Sequence, residues 1–186
     1  MTVEFESLKV QARLDYVYKN VLSVGAKGYV LLDDYLRVLT EFSNGGGDGE
    51  VNRFWVQNRQ LTLASGTDLL DLAGGLVDVY GNTITFSAVK AILVRNKGML
   101  VGGEATPTRG EDLLVGGAAA SAFASPFYGD GGARLLVRSG GVLLLCAPYD
   151  GYSVSPGTGD VLQVEHAGSE ASGGDIEYDI AIAGVQ

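Results

Sequence analysis

SGGVLLLCAPYDGYSVSPGTGDVLQVE, residues 139–165, sets short apolar runs between turn-forming pairs. Val142 to Ala147, Tyr152 to Ser155 and Asp160 to Glu165 are too short for helices that would stand alone. They are bounded by Gly140-Gly141, Asp150-Gly151 and Pro156-Gly157, so they read as β-strands joined by turns. The same grammar extends in both directions. Downstream lies Asp175 to Ile182; upstream lie Ala133 to Val137, Glu111 to Val115, Asp68 to Leu72 and Phe54 to Leu63. Thr83-Ile84-Thr85-Phe86-Ser87 leads through Ala88 into the apolar run Val89 to Val94, and Asn96-Lys97-Gly98 is expected to turn the chain. Many closely spaced strands predict an all-β fold, a jelly-roll-like β-sandwich. The stretch from Met99 to Gly132, rich in Gly and Ala and broken by Pro107 and Pro126, is expected to form projecting loops.

The N-terminal part reads differently. Leu8, Val10, Ala12, Leu14, Tyr16 and Tyr18 alternate with Lys9, Gln11, Arg13 and Asp15, the period of a half-buried strand. Beyond Gly25-Ala26-Lys27-Gly28, Leu32, Tyr35, Leu36, Leu39 and Phe42 recur at three- and four-residue spacing, which predicts one short amphipathic α-helix from Leu31 to Phe42. The glycines of Asn44-Gly45-Gly46-Gly47-Asp48-Gly49 resist ordering, so this loop is expected to be a flexible hinge. The expected division is an N-terminal strand and helix attachment segment at 1–50 and a β-sandwich domain at 51–186.

Composition narrows the function classes. A length of 186 residues fits one main domain, and 46% hydrophobic with 19% charged residues speaks against wholesale disorder. The net charge of −9 repels phosphate backbones, so no nucleic-acid partner is expected. With one cysteine, Cys146, no intrachain disulfide can form, and its apolar neighbours point to a buried structural thiol. Met1 to Glu6 lacks the basic and apolar features of a secretory signal, and no run reaches the roughly 20 apolar residues of a membrane helix. A soluble protein with no membrane partner is expected.

Residues for catalysis are scarce. His166 is the single histidine, and no Gly-x-Ser-x-Gly elbow accompanies it, so a structural histidine is expected. Pairing Cys146 with His166 would need an exposed thiol, whereas Cys146 follows a run of leucines. One Cys and one His cannot supply the four N or S donors of a structural zinc site. Asp48, Glu50 and Asp130 offer oxygens near glycines but lack the spacing of an EF-hand loop. Neither does Gly25-Ala26-Lys27-Gly28 make a phosphate-binding P-loop. The expectation is no catalytic residue, no metal and no cofactor.

Stretches in the second part carry a family resemblance. They are Arg59 to Thr67 with Asp68-Leu69-Leu70-Asp71-Leu72-Ala73-Gly74-Gly75-Leu76, Asp78-Val79-Tyr80-Gly81-Asn82 and Thr83 to Phe86. Val115-Gly116-Gly117-Ala118 follows, with Phe123, Pro126-Phe127 and Gly129-Asp130. Ser139-Gly140-Gly141-Val142-Leu143-Leu144-Leu145, Ala147-Pro148, Gly151-Tyr152, Gly157-Thr158-Gly159-Asp160 and a closing Tyr178-Asp179-Ile180 complete the set. Together these span about 53 to 184 and resemble small virion structural proteins of tailed bacteriophages. The resemblance implies a capsid decoration (cement) subunit, or else a neck or tail component, with no catalytic residues. It also implies residence in the virion after assembly in the host cytoplasm, with the major capsid protein or other virion subunits as partners and a homo-oligomer, a trimer favoured. Candidate interface residues are Tyr16, Tyr18, Leu32, Tyr35, Leu36, Leu39 and Phe42 in the N-terminal segment, and Trp55, Phe123 and Phe127 in the sandwich. The competing readings are a carbohydrate-binding β-sandwich module, which would gather Trp55, Tyr149 or Tyr152 on one exposed platform, and a hydrolase, which would need His166 beside a carboxylate in a pocket.

Overall fold

The structure is a computed structural model. It describes residues 7–21, 27–62, 66–108, 111–118, 120–167 and 174–186, with side chains described outside 14–37. Met1 to Glu6 and the Gly25-Ala26 part of the first turn lie outside the described residues.

The chain is all-β, and its strands group into antiparallel sheets. The central sheet has the order β12 (Val142–Cys146), β8 (Ala88–Val101), β15 (Ile176–Val185), β4 (Arg53–Leu61), with β9 (Glu104–Thr106) and β13 (Tyr152–Ser153) also pairing with β8. The second sheet runs β11 (Leu135–Val137), β10 (Leu113–Val115), β14 (Val161–His166), β5 (Thr67–Asp71). Period-two alternation decides what faces inward. Ile176, Tyr178, Ile180 and Ile182 of β15 share one buried cluster with Ile92 and Val94 of β8, Leu162 and Val164 of β14 and Leu113 and Val115 of β10. Both sheets feed this one core, which makes the body sandwich-like. Each fully buried Leu, Ile or Val contributes about 1.5–3 kcal/mol of transfer free energy.

The segment between β5 and β8 closes one end of the core with Leu72, Leu76, Ile84 and Phe86 and forms a small hairpin, β6 (Leu76–Val77) with β7 (Thr83–Ile84). A 3-10 turn at Ser125–Phe127 lies between β10 and β11. The expected break at Asn96-Lys97-Gly98 is instead a bulge: Tyr178 pairs with Asn96 and Glu177 with Gly98, and β8 continues to Val101. Part of the expected projecting loop is thus a tight hairpin. Gly102 and Gly103, with φ of +63° and +93°, make the two-residue turn between the paired Val101 and Glu104, the twist that antiparallel strands favour. Gly98 lies where β9 passes closely over β8, and a Cβ there would run into the Thr106 carbonyl.

The N-terminal helix expected over Leu31 to Phe42 is not formed. β1 (Ser7–Val21) and β2 (Lys27–Asn44) make one long antiparallel ribbon, with a register shift between Leu14 and Tyr16. The same stretch also reads at period two, as Val30, Leu32, Leu36, Val38, Thr40 and Phe42. That reading pairs with the alternation of β1, matching Leu8 with Phe42, Val10 with Thr40 and Ala12 with Val38. Cross-strand pairing decides between two periods that one segment can satisfy equally well.

The glycine loop is pinned rather than free. β3 (Glu50–Val51) pairs in parallel with the end of β2. Ser43 N–H donates to the Gly49 carbonyl at 3.1 Å, Gly45 N–H to Val51 at 3.2 Å, and Gly49 N–H to Pro148 at 2.8 Å. The Glu50 carboxylate accepts from Gly47 N–H at 2.7 Å. From beneath, buried Lys90 sends its ammonium to the carbonyls of Gly47 at 2.6 Å and Pro148 at 3.3 Å. Glycine here permits the close turns, and the hydrogen bonds remove the freedom that the sequence suggested.

Candidate functional site

Alternation along β14 places Leu162 and Val164 inward, and His166 occupies the next inward position, directly across from Leu113 of β10. A buried imidazole needs a polar partner. The segment entering β10 supplies it: Glu111 Oε2 lies 2.9 Å from His166 Nε2, with the two side chains 3% and 2% exposed. Asn96 reaches across the core and donates through Nδ2 to the Glu111 carbonyl at 2.9 Å and the Val137 carbonyl at 3.1 Å, while its Oδ1 accepts from Gly98 N–H at 2.9 Å. Next to Glu111, Asp112 accepts from the Arg138 guanidinium at 2.5 Å and from Ser139 N–H at 3.0 Å. Among the described residues no buried side-chain nitrogen or oxygen lacks a partner. Histidine and carboxylate do converge here, but both are closed off inside the fold. This cluster ties the β8 bulge to the opposite sheet.

A second polar group spans the other side of the body. Arg59 of β4 grips Asp68 of β5 with two guanidinium nitrogens, the longer bond 2.8 Å, and the buried Tyr178 hydroxyl donates to the same carboxylate at 2.7 Å. The hydrogen bond to Asp68 raises the Arg59 pKa, and burial pushes the Tyr178 hydroxyl far above its ordinary range. Both groups therefore keep their protons at every working pH. On the outer face Glu177 accepts from the Lys97 ammonium and from Asn58 at 2.7 Å, and these bonds, Lys97 first, lower its pKa. A carboxylate with a lowered folded pKa stabilises above its ordinary value of 4.5 and loses that contribution as pH falls through the folded value. Glu177→Gln should therefore lose stability at neutral pH and show a shallower decline on acidification, read by urea unfolding at stepped pH.

The outer face of the central sheet carries the ribbon base. Ala91 and Ala183, paired across β8 and β15, are buried beneath Phe42 and Val51, with Leu8, Val10 and Cys146 packed around them. Cys146 is half-buried, and burial pushes its thiol above the usual value against a smaller opposing effect from Thr40. Less thiolate means a slower reaction. At mildly alkaline pH Cys146 should be alkylated well below the rate of free cysteine, and denaturant should remove the difference.

The expected interface residues separate. Phe42, Trp55 and Phe123 are 1%, 2% and 1% exposed, so their side chains are spent inside the chain's own packing and are not available to a partner. The Trp55 indole N–H donates to the Val77 carbonyl at 3.2 Å, and its burial breaks up the expected platform with Tyr149 and Tyr152. Phe127 is partly buried in the 3-10 turn, and Leu39 is exposed on the ribbon. Tyr16, Tyr18, Leu32, Tyr35 and Leu36 lie on the ribbon strands, where side chains are outside the described residues. Of the proposed oxygen donors, Glu50 and Asp130 hold backbone N–H groups, Asp130 that of Gly132 at 2.9 Å. Among the described residues no three His, Cys, Asp or Glu side chains gather as a metal site.

A surface the motif reading passed over lies along β4. Phe54, Val56, Val77, Val79 and Tyr80 are exposed around a groove of about 500 Å3 between β4 and the β6–β7 hairpin. The readable signal was the Asp78-Val79-Tyr80-Gly81-Asn82 turn, a polar frame that pushes two apolar residues outward. No family model matches the chain, and no curated protein matches it.

Proposed function

We propose that the chain is a structural subunit of a tailed-bacteriophage virion, a capsid decoration (cement) protein that attaches to the head shell by adhesion, without catalysis or cofactor. The observation that carries this reading is the strand order. Numbered in chain order, the main strands β4, β5, β8, β10, β11, β12, β14 and β15 divide so that one sheet takes 1, 8, 3, 6 and the other 2, 7, 4, 5. We read that order as supporting an eight-stranded jelly roll, an architecture shared by viral coat and lectin domains. The coat side of that choice is supported by the ribbon, whose strands of 15 and 18 residues far exceed the usual five or six. An isolated two-stranded ribbon is marginal in water, so a projecting one gains its stability from what it touches. The ribbon's apolar alternation, the exposed Val38 and Leu39 and the resemblance over the sandwich support attachment to the major capsid protein or a neighbouring virion subunit.

Adhesion of this kind multiplies weak contacts through effective concentration. Excising residues 14–36 and joining Arg13 to Arg37 through Asn-Gly keeps the paired base and removes the far part of the ribbon. Mixed with undecorated head shells of the phage whose genome encodes the chain, this variant should sediment with them about 100-fold more weakly than the full chain. Undiminished binding would refute attachment through the ribbon. Binding to necks or tails in place of shells would reassign the position on the particle.

A further inference from the structure

We propose that the free edge of β4 is an acceptor site for β1 of a second copy of this chain, so that copies join by adding a strand to one another's central sheet. β4 pairs with β15 from Arg53 opposite Gly184 to Leu61 opposite Ile176, and no strand pairs on its other side among the described residues. Folded proteins commonly cover, shorten or charge such an edge, because its N–H and C=O groups otherwise template pairing. Here the nearest element stands off. The β6–β7 hairpin is held to β4 through the Trp55 indole bond to the Val77 carbonyl, leaving the groove of about 500 Å3 between them.

The groove is built to be rigid. Asp78 Oδ1 accepts from the backbone N–H groups of Tyr80 and Asn82, each at 2.8 Å, and Oδ2 accepts from the Asn82 side chain at 3.0 Å. The Asp78 N–H and carbonyl close the same turn with Asn82 at 2.9 Å and Gly81 at 3.1 Å. Val79 and Tyr80, 84% and 66% exposed, are thereby held on a fixed backbone turn facing water on the rim opposite Phe54 and Val56. A turn whose backbone is ordered before binding loses less entropy on contact.

An open backbone edge flanked by apolar side chains fits an extended strand of alternating pattern. β1 is such a strand: it ends its own sheet, no strand pairs on its outer side among the described residues, and it alternates apolar with polar positions from Leu8 to Tyr16. Within the chain β1 belongs to a different sheet from β4, and the ribbon base lies on the face of the central sheet at Ala91 and Ala183 rather than along its β4 edge. Charge favours the exchange. β1 carries three basic side chains, Lys9, Arg13 and Lys19, and one acidic, Asp15, whereas 45–186 carry eight basic and sixteen acidic ones. Body against body repels, while β1 against body does not. Giving β1 and receiving at β4 is a heterologous contact, which closes into a ring when the rotation permits.

The test uses full-length chains in a Cys146→Ser background. One chain carries Gln11→Cys on exposed β1, the other Val56→Cys beside the groove, and the two are mixed and treated with a short bismaleimide. The expected result is a covalent mixed dimer that neither chain gives alone. A third variant, Val56→Lys, should weaken self-association at least about tenfold while circular dichroism stays native. A chain that stays monomeric by light scattering at its highest soluble concentration overturns the proposal, as does an oligomer that yields no mixed cross-link or ignores Val56→Lys. Shell binding, measured separately on the same variants, tells this failure from failure of the virion reading: a monomer that still binds shells removes the strand exchange alone.

Discussion

Replacing His166 by alanine should lower the free energy of unfolding by about 3–5 kcal/mol, because it leaves the buried Glu111 carboxyl without its imidazole partner. Domains of this size are stable by about 5–15 kcal/mol in total, so the variant stands near the limit of folding. The loss has an addressable origin. Glu111 sits where the entry to β10 meets the Asn96 cross-link, and an unpaired acid there must draw in water or pull the entry outward. Glu111→Gln, which keeps a hydrogen-bonding side chain of the same shape, should cost much less, about 1 kcal/mol. Urea unfolding monitored at Trp55 compares the two. A loss below about 1 kcal/mol for His166→Ala would mean that the pair is already hydrated, and a solvent-connected histidine with a carboxylate would reopen the hydrolase reading.

Phe42→Ala should act as strongly but locally. Removing a buried phenylalanine costs about 3–5 kcal/mol, and Phe42 is the largest side chain joining the ribbon base to Ala91 and Ala183. Because the main core between the sheets does not include it, the cost should appear as opening of the ribbon base with little change in global unfolding. Hydrogen exchange should quicken across β1 and β2 and stay slow in β15, and Cys146, uncovered by the same opening, should alkylate faster than in the parent. Uniform acceleration across β15 would show instead that ribbon and sandwich unfold as one unit.

The strands of the sandwich were legible because two independent signals agree on them. Alternating or continuous apolar runs mark the strands, and Gly, Asp-Gly and Pro-Gly pairs mark their ends. Where one signal had to serve alone, it misled. From Leu31 to Phe42 the apolar residues satisfy a helical spacing and a strand spacing together, and only the partner β1 selects the strand. Asn96-Lys97-Gly98 has turn composition, yet Asn96 is held inside by carbonyls from the opposite sheet, which makes a bulge of it. The glycine loop looked mobile because the ammonium that fixes it comes from Lys90, 43 residues away.

The site was less legible, for a related reason. In Phe54-Trp55-Val56 both faces are apolar, so the sequence does not say which side enters the core, and the tryptophan went inward while its neighbours stayed outside. Pairing His166 with Glu111 requires two segments 55 residues apart to meet across β10 and β14. The groove needs Trp55 to find the Val77 carbonyl. Such contacts follow from sheet order, which short-range pattern does not encode.

The proposed virion role requires that a phage genome carries the coding sequence and that the chain is built into the particle, and quantitative mass spectrometry of purified virions of that phage tests this most directly. The result expected from the proposed role is the chain in intact particles at a fixed copy number relative to the major capsid protein, set by the local symmetry of the shell. Absence from particles that are otherwise complete and infectious would contradict it.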